Sequence, residues 1–228
     1  MIGGQSVLAV VPARAGSRGI PRKNLAVLGG LPLVQWTINA ALGSLYVDRI
    51  VISTDDPDVR ALGLAQGITI LDRPADIAGD GATAAQVIAH AIKSTPHMDL
   101  VVYLQPTSPL RESTDIDQSL EMLISGDAEG VVSVTEVSES PEWMYRLDAA
   151  DSRLHPIVPN HKAFRRQDLP RTVKLNGAVY CASAHLLLPD GNFFKLRLAG
   201  LEMPSSRSID IDEPADLEVA DQQIRSRS

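Results

Sequence analysis

Cysteine, aromatic residues and long apolar runs are all scarce in this chain of 228 residues. The single cysteine, Cys181, excludes a disulfide framework and fits a reducing compartment. The apolar run at residues 7–11 is only as long as a strand, so it is too short to span a membrane. The start of the chain lacks the basic head and apolar stretch of a signal peptide. We therefore expect a soluble protein of the cytoplasm without a membrane segment.

Basic residues are too few for a protein that wraps nucleic acid. Lys and Arg number 21 against 28 Asp and Glu, which gives a net charge of -7. A duplex-binding protein needs a basic face to displace counterions from the phosphates. The composition therefore argues against nucleic acid as a partner.

Several common catalytic signatures are also missing. His155 and His161 do not have the spacing of zinc ligands, and no cysteine pair accompanies them. No Gly-Lys-Ser/Thr completes a Walker A sequence, and Ser17 lies in AGSRG rather than in G-x-S-x-G. Zinc, P-loop and serine-hydrolase chemistry are therefore not expected.

Short apolar runs alternate along the chain with segments of helical periodicity. Apolar residues make up 44% and charged residues 21%, as in an ordinary globular protein, and we expect one domain over residues 1–228. Strands are predicted at residues 7–11, 48–54, 68–71, 100–104, 130–137 and 178–182. Helices are predicted to begin near residues 33, 57, 84, 113 and 213. The alternation predicts an α/β fold with a doubly wound, mostly parallel sheet.

The alternation breaks between about residues 139 and 174. That stretch carries four prolines and few apolar runs. We interpret it as an excursion from the sheet, either a lid or an arm for dimerisation, and not as a second domain. Beyond it, Phe193 and Phe194 fit either the core or an interface, with the interface slightly favoured.

The loop at residues 12–24 is a candidate anion site. It holds Arg14, Arg18, Arg22 and Lys23 among glycines and small residues, directly after the first predicted strand. Ligands of open α/β sheets bind at that end of the strands. Glycine lets backbone N–H groups approach an anion, and the basic side chains neutralise its charge, so a polyphosphate fits. The alternative is a solvated surface loop with incidental charge.

Two carboxylates near the end of the chain are candidate metal ligands. Asp210 and Asp212 lie two residues apart, so on an extended segment they point the same way. A hard divalent cation such as Mg²⁺ prefers such oxygens. The competing interpretation is that one of them, Asp212 above all, caps the helix that begins near residue 213.

The sequence GDGATA at residues 79–84 matches the dinucleotide pattern G-x-G-x-x-A. It does not directly follow a strand, and no acidic residue ends the next strand where a ribose partner should lie. We interpret it as a helix start whose backbone amides meet a ligand. A nicotinamide-dependent oxidoreductase is the weaker hypothesis.

Five sequences in a fixed order carry a family resemblance. They are PARAGSRGIPRKN at 12–24, LQPTSPLR at 104–111, RQDLP at 166–170, NGAVY at 176–180 and SIDID at 208–212. Together they resemble the acylneuraminate cytidylyltransferases, or CMP-sialic acid synthetases, over about residues 7–224. The resemblance implies a Rossmann-like nucleotidyltransferase fold. It also implies that CTP and a nonulosonic (sialic-type) acid give a CMP-sugar and pyrophosphate, by in-line attack of the anomeric hydroxyl on the α-phosphorus.

The resemblance also implies roles for individual residues. The triphosphate would be held by Arg14, Ser17 and Lys23, with Asn24 near the nucleotide, and cytosine would lie against Arg73, Asp80 and Thr83. The sugar would contact Gln105, Thr107, Arg166 and Tyr180. Mg²⁺ or Mn²⁺ would be held by Asp210 and Asp212, and the catalytic set would be Arg14, Lys23 and Asp212. Whether an aspartate or a hydroxide on the metal takes the sugar's proton stays open.

In such enzymes the excursion packs against a second subunit, so the resemblance implies a homodimer in which Arg166 reaches the partner's site.

Two departures from the family pattern bear on the identity of the sugar. Trp143 stands where sialic acid members often carry Lys, and Lys174 where an Arg is common. The first favours the legionaminic or pseudaminic acid branch. The alternatives are a 3-deoxy-manno-octulosonate cytidylyltransferase and a non-catalytic protein that binds sugar nucleotides.

Overall fold

A computed structural model of the protein describes residues 1–16, 19–79, 81–159 and 165–226, with Arg166 described by its backbone alone. The strands are β1 (Val7–Pro12), β2 (Val27–Leu28), β3 (Leu31–Pro32), β4 (Arg49–Thr54), β5 (Thr69–Asp72), β6 (Leu100–Tyr103), β7 (Gly130–Glu136), β8 (Tyr145–Leu147), β9 (Leu154–Pro156), β10 (Val173–Ser183) and β11 (Leu198–Glu202). The helices are α1 (Leu33–Leu42), α2 (Pro57–Ala65), α3 (Ala84–Ser94), α4 (Ser113–Ser125), α5 (Ala184–Leu187) and α6 (Pro214–Arg225).

A seven-stranded sheet has the order β11-β7-β10-β6-β1-β4-β5. β10 pairs antiparallel with both of its neighbours, and every other pairing in this sheet is parallel. The predicted doubly wound, mostly parallel sheet is therefore confirmed. The order of the strands reverses at β1 and β6, which is the position where sheets of this kind bind ligands.

Helices cover both faces of the sheet, and β1 contributes apolar side chains to each face. Val7, Ala9 and Val11 belong to the core that contains residues of α1 and α4. Leu8 and Val10 belong to the opposite core, which contains residues of α3 and α5. A continuous apolar run is typical of a strand that is buried on both faces, and it fixes β1 at the centre of the molecule.

The strands near β7 differ most from the sequence prediction. β10 runs from Val173 to Ser183, whereas the sequence predicted only residues 178–182. Its register shifts between Leu175 and Tyr180, and Gly177 within that stretch has a φ of 75°. β11 was not predicted, because its sequence LAGLE has no continuous apolar run. Residues 173–174, assigned to the excursion, thus lie within the sheet.

Part of the excursion, residues 145–156, carries a small hairpin outside the sheet. β8 and β9 pair antiparallel, with Leu147 opposite Leu154. Both strands are exposed over their whole length. Among the described residues, no helix is both long and apolar enough to cross a membrane.

Candidate active site

A cavity of about 520 Å³ opens at the carboxyl ends of β1, β5 and β6. Three cationic side chains line it: Arg14, Lys23 and Arg73. Asn24, Thr83, Gln105, Thr107 and Asp212 also line it. The loop after β1 and the loop after β6 thus meet at the point where the strand order reverses. Most of the residues that the sequence predicted as a site share this one cavity.

Lys23 is turned toward the candidate metal carboxylates. Its Nζ donates to the carbonyl oxygen of Ile211 at 2.8 Å and to Oδ1 of Asp212 at 2.9 Å. The Lys23 side chain is only 12% exposed, whereas that of Asp212 is 74% exposed. Arg22 turns away and pairs with Asp58. The loop therefore divides its basic residues between the cavity and the surface of α2.

Asn24 and Ala15 hold the first half of this loop in place. Asn24 Nδ2 donates to the carbonyl oxygen of Arg14 at 2.9 Å, and the Ala15 N–H donates to Oδ1 of Asp55 at 2.8 Å. Ser17 and Arg18 lie outside the described residues. Gly19 touches the other loop of the site: a Cβ built there would lie 2.2 Å from the carbonyl oxygen of Asp212. Only glycine allows this approach.

Asp210 and Asp212 lie on either side of a buried anchor. Ile211 is fully buried, and its N–H donates to the carbonyl oxygen of Thr107 at 2.8 Å. Loss of surrounding water raises the pKa of Asp210, and the negative charge of Asp212 adds to the rise, whereas a hydrogen bond from Thr107 and the charge of Lys23 lower it. The two carboxylates are thus close enough to repel each other. A cation between them would remove that repulsion.

The donor set fits a divalent cation that is shared with a substrate. Within the described ranges, no group of three or more His, Cys, Asp or Glu side chains gathers as a closed metal site. Mg²⁺ is commonly bound by one or two carboxylates together with substrate phosphates. Asp210 and Asp212 would supply the carboxylates, and the cavity beside them is lined by Arg14 and Lys23.

The alternative role of Asp212 as a helix cap is not observed. The N-cap of α6 is Glu213, and a capping box links Glu213 with Asp216. Asp216 Oδ2 accepts from the backbone N–H of Asp212 at 2.9 Å and of Glu213 at 2.8 Å. The Asp212 carboxylate is therefore not used by the helix.

Arg73 and the start of α3 form the opposite wall of the cavity. Arg73 is 8% exposed and donates from Nη2 to the carbonyl oxygen of Ser53 at 2.9 Å. Burial lowers the pKa of Arg73. Thr83 caps α3 by accepting from the backbone N–H of Gln86, so its hydroxyl is committed to the helix. Asp80 lies outside the described residues, while the predicted helix start at Ala84 is confirmed.

A second, apolar pocket of about 400 Å³ adjoins the first and shares Thr83, Ala84, Tyr103 and Gln105 with it. Its other lining residues include Ile88, Tyr180, Phe193 and Phe194. The rings of Tyr180 and Phe193 pack with centroids 5.8 Å apart, and Phe194 is 65% exposed. Phe193 is thus a core residue, and both phenylalanines line a pocket that the sequence did not predict. Their pairing in an aromatic-poor chain was the available signal.

Gln105 lies at the junction of the two pockets. A Cβ on Gly177 would lie 2.6 Å from its Oε1, so the NGAVY sequence leaves room for this side chain. Tyr103 shares a hydrogen bond with Gln105, and burial raises the pKa of Tyr103 to about 12. Tyr180 lines the apolar pocket, and Asp210 lies close to Tyr180. Neither residue lines the larger of the two cavities. The side chain of Arg166 lies outside the described part of the chain.

Known proteins resemble this chain in sequence over most of its length. A sequence model of the family described as Cytidylyltransferase matches residues 8–203. The N-acylneuraminate cytidylyltransferase of Streptococcus agalactiae serotype V is 33% identical over 207 residues, 90% of this chain and 50% of that protein. The CMP-N,N'-diacetyllegionaminic acid synthase of Legionella pneumophila is 34% identical over 217 residues, 92% of each chain. The chain thus spans about half the length of the first and most of the second.

Solved structures share the fold at low identity. A CMP-2-keto-3-deoxy-manno-octonic acid synthetase complexed with CTP superposes with a TM-score of 0.74 at 18% identity, covering 98% of this chain and 100% of that one. A 4-diphosphocytidyl-2C-methyl-D-erythritol synthase from Anaerococcus prevotii gives 0.68 at 12% identity, covering 97% and 99%. Both have nucleotidyltransferase folds of the Rossmann-like kind. With the family match over residues 8–203, the chain belongs to the cytidylyltransferase family.

Proposed function

We propose that the chain transfers a cytidylyl group from CTP to a nonulosonic acid, releasing pyrophosphate. One observation carries the proposal: the cavity lined by Arg14, Lys23, Arg73 and Asp212 continues past Gln105 into an apolar pocket. The polar cavity suits a nucleoside triphosphate, and the adjoining pocket suits an acceptor with an apolar substituent.

Arg14 and Lys23 neutralise the triphosphate, and Lys23 stabilises the charge that develops at the α-phosphate. The anomeric oxygen of the sugar forms a bond to the α-phosphorus while the bond from that phosphorus to the bridging oxygen breaks. Pyrophosphate leaves with the electron pair, and the hydroxyl proton passes to a carboxylate, for which Asp210 and Asp212 are the candidates. Catalysis of this kind is positioning and charge stabilisation.

Asp210 and Asp212 would hold a divalent cation, Mg²⁺ or Mn²⁺. When bound, the cation polarises the phosphoryl oxygens and orients the triphosphate. The salt bridge from Lys23 to Asp212 keeps that carboxylate beside the loop after β1 before any substrate arrives. Arg73 and the first backbone amides of α3 lie on the other side of the cavity, where cytosine would bind.

For the acceptor we propose a diacylated nonulosonic acid of the legionaminic type. Ile88, Phe193 and Phe194 give the second pocket an apolar lining that suits an acyl group. The relative that matches over 92% of both chains is named for N,N'-diacetyllegionaminic acid. Gln105, Thr107 and Tyr180 would contact the polar part of the sugar.

We also propose that the excursion joins two copies of the chain into a homodimer, in which Arg166 meets the sugar carboxylate in the partner's site. Large apolar side chains of the hairpin region are exposed: Trp143, Met144, Tyr145, Leu147, Leu154 and Ile157. Such a patch marks an interface in a folded protein. The buried thiol of Cys181 is consistent with a location in the cytoplasm.

Pyrophosphate release tests the proposal. CTP and Mg²⁺ are offered with N-acetylneuraminic, legionaminic, pseudaminic or 3-deoxy-manno-octulosonic acid, and we expect turnover with legionaminic acid. Turnover only with the octulosonic acid would identify the chain as a 3-deoxy-manno-octulosonate cytidylyltransferase instead. CTP binding without turnover on any acid would favour a non-catalytic protein, and absence of CTP binding would overturn the proposal.

Two neighbouring basic residues provide a matched pair for the same assay. Lys23→Ala should lower kcat more than it raises the KM for CTP, because its charge acts on the phosphate under attack. Arg22→Ala should keep kcat, because Arg22 pairs with Asp58 on α2. A raised KM with unchanged kcat in Lys23→Ala would assign Lys23 to ground-state binding alone.

A further inference from the structure

An ion pair behind the candidate active site joins the start of α4 to the segment that carries Asp210 and Asp212. Arg207 Nη2 donates to Oδ1 of Asp115 at 2.9 Å, and Arg207 Nη1 donates to Oδ2 of the same carboxylate. The two side chains are 17% and 4% exposed. This is the two-point geometry that an arginine, but not a lysine, makes with a carboxylate.

Asp115 is fixed in turn by its own helix. Its Oδ2 accepts from the backbone N–H of Glu112 at 2.8 Å, within the capping box of α4. Arg207 therefore bonds to a carboxylate whose position is fixed by α4, and this bond restrains the loop that carries Arg207. Well-packed apolar residues often replace a buried ion pair without loss of stability, so a geometric role explains this pair better than a stabilising one.

A second arginine lies near enough to Asp115 for the charge of that carboxylate to act on it. Arg111 is buried and donates to the carbonyl oxygens of Gln105 at 2.6 Å and Ala178 at 2.5 Å. Burial lowers the pKa of Arg111 to about 9, and the charge of Asp115 opposes that change, so the guanidinium is charged at neutral pH. The Asp115 carboxylate thus interacts with two cations: Arg207 bonds to it directly, and its charge also acts on Arg111, which donates to the carbonyl oxygen of Gln105.

The segment after Arg207 is held at further points. Ser208 Oγ accepts from Asn176 Nδ2 at 2.9 Å, and the Ile211 N–H donates to the carbonyl oxygen of Thr107 at 2.8 Å. Arg207 is the first of these attachments along the chain. Without it, the beginning of the segment that carries both carboxylates would lose its link to α4.

We propose that Arg111, Asp115 and Arg207 form a positioning triad, which sets the loop that carries Gln105 and Thr107 against the segment that carries Asp210 and Asp212. None of the three lines the cavity, so they are positioning residues rather than catalytic ones. The inference rests on the proposed function for its activity readout, but the alignment of the metal carboxylates is measurable without turnover.

The test uses the full chain with Arg207→Met, Arg207→Lys and Asp115→Asn. Arg207→Met should lower kcat by about 10- to 100-fold with little change in the KM for CTP, because misplaced groups cost the transition state most. An electron paramagnetic resonance titration of Mn²⁺ with the CTP-saturated protein, against CTP alone, should show weaker binding. Arg207→Lys should restore part of both, since it keeps the charge without the two-point geometry.

Arg197→Met is the matched control. Arg197 directly precedes β11, whereas Arg207 follows that strand. Arg197 pairs with Glu129 at the surface. It should leave kcat and Mn²⁺ binding unchanged. The double variant of Asp115→Asn and Arg207→Met should lose no more than the worse single variant, because both remove the same link.

Wild-type kcat and Mn²⁺ affinity in Arg207→Met would overturn the proposal, and so would additive losses in the double variant. If Arg207→Met does not fold, Arg207→Lys and Asp115→Asn decide by the same two readouts. If the wild-type protein turns over none of the acids, the proposed function fails. Unchanged Mn²⁺ binding by the folded variants would still overturn the triad on its own.

Discussion

At the residue scale, the close contact between the two loops of the site requires a glycine at position 19. The backbone at Gly19 approaches the carbonyl oxygen of Asp212 so closely that a Cβ would lie at 2.2 Å. Gly16, three residues earlier, has ordinary space, since among the described residues its Cβ would meet only the guanidinium of Arg14, at 3.5 Å. Two glycines of one loop thus face different steric demands.

Gly19→Ala should therefore damage the site through the position of Asp212. The contact is with backbone, so one of the two loops must shift, and we expect kcat to fall by about 10- to 100-fold. Gly16→Ala should cost much less, because a flexible side chain can move aside. Steady-state kinetics with CTP, together with thermal unfolding curves, checks this. Equal losses in the two variants would show that the Gly19 contact does not decide the geometry.

At the element scale, α6 begins where the candidate metal ligands end. Asp216 accepts from the backbone N–H groups of Asp212 and Glu213, and these two hydrogen bonds lower the pKa of Asp216. The Asp216 carboxylate therefore completes the capping box of the helix and also holds the backbone of Asp212. The stability of the helix start and the placement of the site depend on the same side chain.

Asp216→Ala should lower the free energy of unfolding by about 1 kcal/mol at pH 7, the usual effect of losing a cap. The folded-state pKa of Asp216 is lowered, so its contribution is present above the unfolded pKa of about 4 and is lost as pH falls through the lower folded value. Urea unfolding at pH 7 and in acid measures this. Glu218→Ala, at an exposed position of the same helix, is the control. A difference that persists unchanged in acid would contradict the assignment.

Elements with strong local patterns were predictable, and those that depend on distant partners were not. The apolar run of β1 and the helix start at the end of GDGATA are local patterns, so the sequence predicted both β1 and the beginning of α3. β11 has the sequence LAGLE and is a strand because β7 offers it a free edge. Phe193 and Phe194 line a pocket only because Tyr180, on β10, lies opposite. Their pairing in an aromatic-poor chain marked the two phenylalanines as unusual, but it did not reveal that Tyr180 lies opposite them.

At the scale of the whole molecule, the described residues form an α/β core with an exposed, apolar hairpin, β8–β9, outside the main sheet. An isolated two-stranded hairpin is marginal in water. Leu147 and Leu154, opposite each other in the hairpin, are 66% and 61% exposed. Apolar side chains at such exposure favour association, so a second copy of the chain is the partner that we propose for this surface.

If two protomers build each active site together, mixed dimers of two inactive variants should regain activity. Arg166→Ala and Asp212→Ala should each inactivate the homodimer if each site takes Arg166 from one protomer and Asp212 from the other. Unfolding and refolding the two variants together would give mixed dimers in which one site has both residues intact. We expect about a quarter of the wild-type activity, because half of the dimers are mixed and each carries one complete site. Each variant refolded alone is the control, and sedimentation must show dimers throughout. Dimers without regained activity would mean that each protomer builds its site alone.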